Sequence, residues 1–360
     1  LDASTPSAKL VAANTTGNIM TVLRFKATAE QINITKMRLA LTSASSSAND
    51  IAQVYIYDGS DLLGQGVIGI GNATGGTANA STTFALTKQL AIPANQEKVV
   101  TIKADIAPIY TTNTVATAGH SIAINYYGST TTSENEGVGQ SSGQKIANYS
   151  STTNQAATYI YRSVPTVAVT QRSNSFTSAG VKTISKFTVT ADAKGDIDLY
   201  KFTFYLATSA SVSLSSLTLV DVTGGTETTL YASNTAYYID TYEHYADIVL
   251  LASPGTISGG TITPRTVSAG TTRTFELRAN VGYSGSASSF GVDAYLAGDS
   301  AETAKASGTY GLTAANVDAD SNDDFIWSDW SDADHSTSAT GASTTDWYNG
   351  YLVSGLSAAY

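Results

Sequence analysis

Oxygen-bearing side chains recur at Asp318, Asp320, Asn322, Asp324 and Asp329 in the stretch DADSNDDFIWSD, a spacing of 1, 3, 5, 7 and 12. That spacing lets one loop wrap a hard cation with carboxylates and a backbone carbonyl, as calcium loops do. Two departures stand beside it. Asp323 fills the sixth position, where the sharp turn uses Gly, and Asp329 is a shorter arm than the usual bidentate Glu. Eight aspartates and no Lys or Arg lie between Asn316 and Asp346. The segment therefore reads either as a calcium site or as a solvated acidic loop.

All three tryptophans, Trp327, Trp330 and Trp347, fall in the same region. Exposed indoles can stack on sugar rings. Buried ones anchor a segment to its own domain or to a neighbouring subunit, because aromatic burial dominates such contacts. In an extended FIWS, Phe325 and Trp327 share one face and Ile326 takes the other.

Nucleophilic catalysis finds no support in the spacing of residues. The histidines are His120, His244 and His335. Ser121 adjoins His120, but neighbours on a strand point to opposite faces and cannot form a dyad. No phosphate-binding loop, GxSxG or HExxH motif occurs, and the absence of cysteine excludes thiolate chemistry and disulfides. Paired carboxylates converging from distant strands are invisible to this kind of reading.

The elements that must carry these residues are strands. TVLRFKATA (Thr21 to Ala29), KMRLALT (Lys36 to Thr42), VYIYDG (Val54 to Gly59) and KVVTIKADI (Lys98 to Ile106) alternate apolar and polar residues between Gly, Asn and Ser clusters. The alternation then repeats. RFKATAEQINITKMRLALT (Arg24 to Thr42) matches KFTVTADAKGDIDLYKFTFYLAT (Lys186 to Thr208), and IPANQEKVVTIKADI (Ile92 to Ile106) matches VSAGTTRTFELRANV (Val267 to Val281). VYIYDG matches LTLVDVTGG (Leu217 to Gly225), and SIAINYYG (Ser121 to Gly128) matches SFGVDAYLAG (Ser289 to Gly298). The opening strands PSAKLVA and PTVAVT also correspond.

Five matches in one order predict an all-β chain of two tandem immunoglobulin-like β-sandwich domains, 1–155 and 156–301. A Trp/Asp-rich tail, 302–360, packs on the second domain or on a neighbouring subunit and has no counterpart in the first copy. The polar stretch from Ser129 to Gln155 is expected to be a long loop or the connection between the domains.

Composition narrows the partners. Of 360 residues 42% are hydrophobic but only 13% charged, with a net charge of -10. A surface of Thr, Ser, Ala and Gly gives little repulsion between copies and suits dense packing of identical subunits. No basic cluster is present to displace counterions from nucleic acid, and no run of 18 apolar residues is present to span a bilayer. Leu1 in place of an initiating Met is expected of a chain trimmed of an export signal or excised from a longer one.

The segments FIWSDWSDADHS and DWYNGYLVSGL resemble the tail of secreted surface proteins of small-genome candidate-phylum bacteria, a group similar to surface-layer or appendage components. VLRFKATAEQINITKMRLAL, VYIYDGSDLLGQG and IPANQEKVVTIKADI are similar to their upstream domains. The resemblance implies secretion and display at the cell surface, and it transfers no catalytic residue.

The expected function is that of a non-enzymatic extracellular subunit polymerising with copies of itself into a filament, tube or surface layer. Strand addition is one route, with Leu10 and Val11 in AKLVAAN, or Leu352 and Val353 in GYLVSGL, as donor strands. The alternative is an adhesin that binds glycans through Trp327, Trp330 and Trp347. Calcium is the one candidate ion.

Overall fold

The computed structural model describes residues 1–42, 47–69, 80–112, 115–153, 157–232, 236–237, 244–250, 263–301, 324–333, 335 and 346–357. The chain is all-β, and among the described residues two single turns of 3-10 helix occur, at Ala48–Asp50 and Thr223–Gly225. It divides into two compact units, Leu1–Arg162 and Ser163–Tyr360.

In the first unit the strands are β1 (Lys9–Ala12), β2 (Asn18–Lys26), β3 (Ile32–Leu41), β4 (Ile51–Asp58), β5 (Asp61–Gly66), β6 (Ser81–Ile92), β7 (Glu97–Ile106), β8 (Ser121–Ile122), β9 (Ile124–Tyr126), β10 (Glu136–Gly139), β11 (Lys145–Ile146) and β12 (Thr158–Tyr161). One sheet runs β2-β7-β4-β5. A second runs β11-β10-β3-β6, with β9 also on β3, and a third runs β1-β12-β8. Alternate residues explain the layering: Val54, Ile56, Val100 and Ile102 of the first sheet and Met37, Leu39, Phe84 and Leu90 of the second share one buried core.

The second unit contains β13 (Pro165–Gln171), β14 (Ser173–Phe176), β15 (Gly180–Ala191), β16 (Ile197–Thr208), β17 (Val212–Asp221), β18 (Thr228–Ala232), β19 (Ala236–Tyr237), β20 (His244–Val249), β21 (Arg265–Val267), β22 (Thr272–Tyr283), β23 (Phe290–Leu296), β24 (Phe325–Ser328) and β25 (Trp347–Tyr348). One sheet runs β13-β15-β22-β17-β18, with β19 also on β17. The other runs β14-β23-β16-β24-β25, with β20 and β21 on the second edge of β16. Phe187 of the first sheet lies 5.6 and 5.8 Å from Phe202 and Phe204 of the other, and 5.2 Å from Phe275 beside it.

Apart from the opening strands, the repeat seen in the sequence recurs in topology; β1 pairs in parallel with β12, whereas β13 pairs antiparallel with β15, the counterpart of β2. The order β2-β7-β4-β5 recurs as β15-β22-β17-β18. Ile56 faces Ile102 as Leu219 faces Leu277, and Ile32 faces Ile92 as Ile197 faces Val267. Leu39 faces Tyr126 as Phe204 faces Leu296.

Two expectations are corrected. The stretch from Ser129 to Gln155 is not simply a loop or a connection, since it supplies β10 and β11. The C-terminal segment also has a counterpart after all: β24 and β25 take the places on β16 that β10 and β11 take on β3. Ile34 pairs with Gly137 and Gly137 with Ile146; Leu199 pairs with Trp327 and Trp327 with Tyr348. The equivalence lies in hydrogen-bond register and shares no residue type.

Candidate functional site

The sequence IDLYKFTFYLAT of β16 is buried without interruption from Ile197 to Phe204. One face of a half-exposed strand cannot do this. Pairing with β24 shifts register between Leu199 and Lys201, and such a bulge sets two residues against one and re-aims the side chains. Phe202 and Phe204 then enter the core beside Phe187, while Asp198, Tyr200, Lys201 and Thr203 reach the partners described below. Asp198, Lys201 and Thr203 are 3%, 0% and 0% exposed, so their polar groups must be satisfied within the protein.

The C-terminal strands supply the cover. Phe325 pairs with Phe202, their rings 5.6 Å apart, and Trp327 pairs with Leu199. The Trp327 ring lies 5.1 Å from that of Tyr348, and its Nε1–H donates to the Asn349 carbonyl at 2.9 Å. The one polar atom of a fully buried indole is thereby satisfied. Trp347 pairs with Ser328, and its ring lies 5.8 Å from Tyr200.

His335 is enclosed between two indoles, 3.9 Å from the Trp330 ring and 5.3 Å from the Trp347 ring, stacked on both. Its Nδ1 lies 2.8 Å from Asp346 Oδ2 and its Nε2 lies 3.0 Å from Asp198 Oδ2. Burial alone would lower the pKa of the imidazole. The hydrogen bonds and negative charge of Asp198 and Asp346 outweigh it and raise the pKa to about 9. The ring is an imidazolium at neutral pH, a cation held against two indole faces.

Ser328 Oγ lies 3.3 Å from the same Nδ1. Serine, histidine and aspartate are therefore neighbours, but the geometry is not that of a general base. Both ring nitrogens already face carboxylates, so no lone pair is left to accept a proton from the serine. Ser328 is also fully buried.

Turns lock this arrangement. Ser328 Oγ accepts from the Trp330 backbone N–H at 3.1 Å, and Asp329 Oδ1 accepts from the N–H and hydroxyl of Ser331 at 3.1 and 2.6 Å. They hold Trp330 at φ 55, a left-handed conformation rare for a bulky residue.

A second acidic pair lies at the other end of β24. Asp299 Oδ1 accepts from the Asp324 backbone N–H at 2.9 Å, and its Oδ2 accepts from that of Gly350. Burial, followed by the charge of Asp299, pushes the Asp324 carboxyl up to about 6, with Lys201 acting in the opposite direction. Lys201 Nζ is 3.5 Å from Asp247 Oδ1, which also accepts from Thr203 Oγ1 at 2.6 Å.

Of the five residues singled out for calcium, two fall within the described structure. Asp318, Asp320 and Asn322 lie outside the described residues. Asp324 and Asp329 flank the two ends of β24, each with its own hydrogen bonds. Among the described residues no group of three or more His, Asp or Glu side chains is arranged to hold a metal ion.

Trp327 and Trp347 are 0% and 2% exposed. They offer no ring face to an external sugar, which corrects the expectation of a platform built from all three indoles.

Leu10 and Val11 lie on β1, which pairs in parallel with β12 through Leu10–Tyr159 and Val11–Ile160. Leu352 and Val353 form no strand. Leu352 has φ 59, and the chain then bridges back in parallel to Thr166 and Ala297 through Ser354 and Ser357. Gly355 makes this return possible, because at φ +91 a Cβ would stand 1.7 Å from the Val167 carbonyl oxygen.

The sequence reading missed Asp198, Asp299, Lys201 and the pairing of His335 with Asp346. One signal was available: Asp198 interrupts an apolar run where the first copy has Asn33.

Among the described residues no helix is long and apolar enough to cross a membrane. No family model matches the chain, and no curated protein matches it. Among solved structures it is similar to the infectious bursal disease virus particle at 10% identity over 81% of this chain and 71% of that one, with a TM-score of 0.23. The subviral particle of VP2 from the same virus gives 10% identity, coverage of 80% and 73%, and a TM-score of 0.20. The N-terminal CBM22 tandem of Paenibacillus barcinonensis Xyn10C gives 9% identity, coverage of 78% and 84%, and a TM-score of 0.11. Scores this low establish neither a shared family nor a shared fold.

Proposed function

We propose that the chain is a non-enzymatic structural subunit, built of two immunoglobulin-like β-sandwiches, that assembles with its own copies into an extracellular filament, tube or surface layer. The observation that carries the reading is the fate of the most chemically equipped segment. Its imidazole has both nitrogens committed to carboxylates, and two of its three indoles are buried. Side chains that could bind or catalyse serve instead to close a sheet.

The low charge of the chain adds support, since few like charges oppose contact between copies. Among the described residues β14 and β18 end their sheets, and such strands are edges at which strand addition could occur. A heterologous contact between such edges propagates into an open polymer.

Negative-stain microscopy of the purified chain, with calcium and with a chelator, tests the reading. Regular filaments or sheets are expected. Their loss on chelation would bring an ion into the assembly, and persistence would dispense with it. Monodisperse particles under every condition would overturn the proposal.

A further inference from the structure

The first unit contains a cavity of about 100 Å³. Phe25, Ile32, Ile34, Ile92 and Tyr126 form its apolar floor, and Lys26, Lys36, Glu136 and Ile146 stand around it. Its origin is visible in the register shared by the two units. Ile32, Ile34 and Ile92 occupy the places of Ile197, Leu199 and Val267. Beside Leu199 the second unit carries Trp327 and then Tyr348, whereas beside Ile34 the first unit has Gly137 and then Ile146. An indole and a phenol are thus exchanged for a hydrogen atom and a butyl group, and Ile32 and Ile146 take up part of the space, 2.9 and 3.3 Å from where a Cβ on Gly137 would stand.

The surroundings add charge. Lys26 is 4.0 Å from Glu97 and Lys36 is 3.7 Å from Glu136, both long ion pairs, and each ammonium has three donors. Glu136 is closer to Lys145, at 3.0 Å, and accepts from Thr35 Oγ1 at 2.7 Å. The charged residues that line the cavity are therefore two lysines, Lys26 and Lys36, and one carboxylate, Glu136, which Lys145 and Thr35 already hold, so the mouth over the apolar floor is net positive. An apolar floor with a few polar groups, Lys26, Lys36, Asn135 and Asn148 among them, at an open mouth is the arrangement small-ligand sites use.

We propose that this cavity is a binding site for a planar aromatic acid, its ring on the isoleucine floor and its carboxylate between Lys26 and Lys36. At about 100 Å³ the space is smaller than the apolar cavities of about 150 Å³ that enclose benzene, so only part of a ring is taken in and the rest lies at the open side. The Ile146 side, 46% exposed, leaves room for the remainder of a larger ring at the mouth.

The full chain is titrated with indole-3-acetate, and with neutral indole for comparison, while the methyl resonances of Ile32, Ile34 and Ile92 are followed by NMR. Saturable shifts of these methyls are expected, with indole bound about two- to fivefold more weakly, the scale of an exposed ion pair. Ile146→Trp places the chain's own indole at the mouth and is expected to weaken binding at least about tenfold. Lys36→Met should weaken indole-3-acetate while sparing indole. Ile146 is half-exposed, and the remaining resonances of the same spectra report whether each variant is folded.

Unshifted methyls up to about 10 mM ligand, a range that covers even millimolar affinity, or shifts unaltered in the Ile146→Trp variant, would overturn the proposal. Loss of self-association in that variant, with no binding of indole-3-acetate to the wild type, would also overturn it and assign the cavity to an aromatic side chain of a second copy.

Discussion

Asp198 and His335 are 137 residues apart in the chain and 3.0 Å apart in space. The contact joins the C-terminal segment to the central strand of its sheet through a charge. Among the described residues, Asp198 Oδ1 is buried without a hydrogen-bond partner, so the imidazolium on Oδ2 is what makes the buried carboxylate tolerable. The same imidazolium serves Asp346, which is 0% exposed.

The stability of the second unit should therefore fall in alkaline solution. Folding raises the His335 pKa from 6.5 to about 9, so its contribution is complete below pH 6.5 and is lost as pH rises through 9. The difference corresponds to roughly 3 kcal/mol. All three tryptophans belong to the second unit, so indole fluorescence reports its melting selectively. The midpoint should decline across this window in the wild type and stay flat in His335→Gln. That variant should also be weaker by about 3–5 kcal/mol near pH 6, because two buried carboxylates lose their cation. A wild-type midpoint independent of pH across the window would remove the imidazolium from the account.

Asp324 has the opposite meaning for an engineer. Its carboxyl is raised from 3.8 to about 6, so whatever stability the protonated form confers is present below 3.8 and lost as pH rises through 6. At pH 7.5 the ionised side chain is a cost, imposed by burial and by Asp299. Asp324→Asn keeps the shape and removes the charge, while Lys201 retains Asp247 at 3.5 Å. A gain of about 1–2 kcal/mol at pH 7.5 is expected, with little change at pH 4, as read from urea midpoints. Equal destabilisation at both pH values would show that the carboxylate is needed in its ionised form.

Trp327 separates packing from hydrogen bonding. Trp327→Ala should cost about 3–5 kcal/mol through the cavity left under Tyr348. Trp327→Phe keeps much of the ring but leaves the Asn349 carbonyl without its donor, for about 1–3 kcal/mol. Fluorescence of the remaining indoles during urea unfolding measures both. A Phe variant as weak as the Ala variant would shift the weight from packing to the hydrogen bond.

Alternation and repetition made the paired strands readable from residues alone, because Ile32–Lys36 and Ile197–Lys201 keep the same apolar positions in the same places. The equivalence of β10 with β24 was not readable. It rests on which backbone pairs with Ile34 and Leu199, and Gly137 and Trp327 share no chemistry. The tryptophans and acids of the tail were noticed, but their partners were not, because which strand comes to lie beside Asp198 leaves no signature in composition. Charge density suggested an ion; Asp318, Asp320 and Asn322 lie outside the described residues, and Asp329 is held by a turn. The imidazolium beside Asp346 was not readable because Asp198 and His335 are far apart in the chain.

The return of the chain at Gly355 can be tested against a glycine of similar conformation. Gly355 and Gly224 have φ of +91 and +67, but a Cβ at Gly224 would meet nothing within 4 Å, whereas one at Gly355 would collide with the Val167 backbone. Gly224→Ala should therefore cost only the left-handed conformation, about 1–2 kcal/mol. Gly355→Ala must in addition displace the segment whose Ser354 carbonyl accepts from the Val167 N–H at 2.8 Å, and whose Ser357 N–H reaches the Leu296 carbonyl at 3.1 Å. A total of about 3–4 kcal/mol is expected. Hydrogen exchange of the Val167 and Ser357 amides should accelerate in Gly355→Ala well beyond that of amides in β22. If the two alanine variants lose the same stability, the contact with Val167 contributes nothing, and the C-terminal return is held by the Trp327 and Trp347 anchors alone.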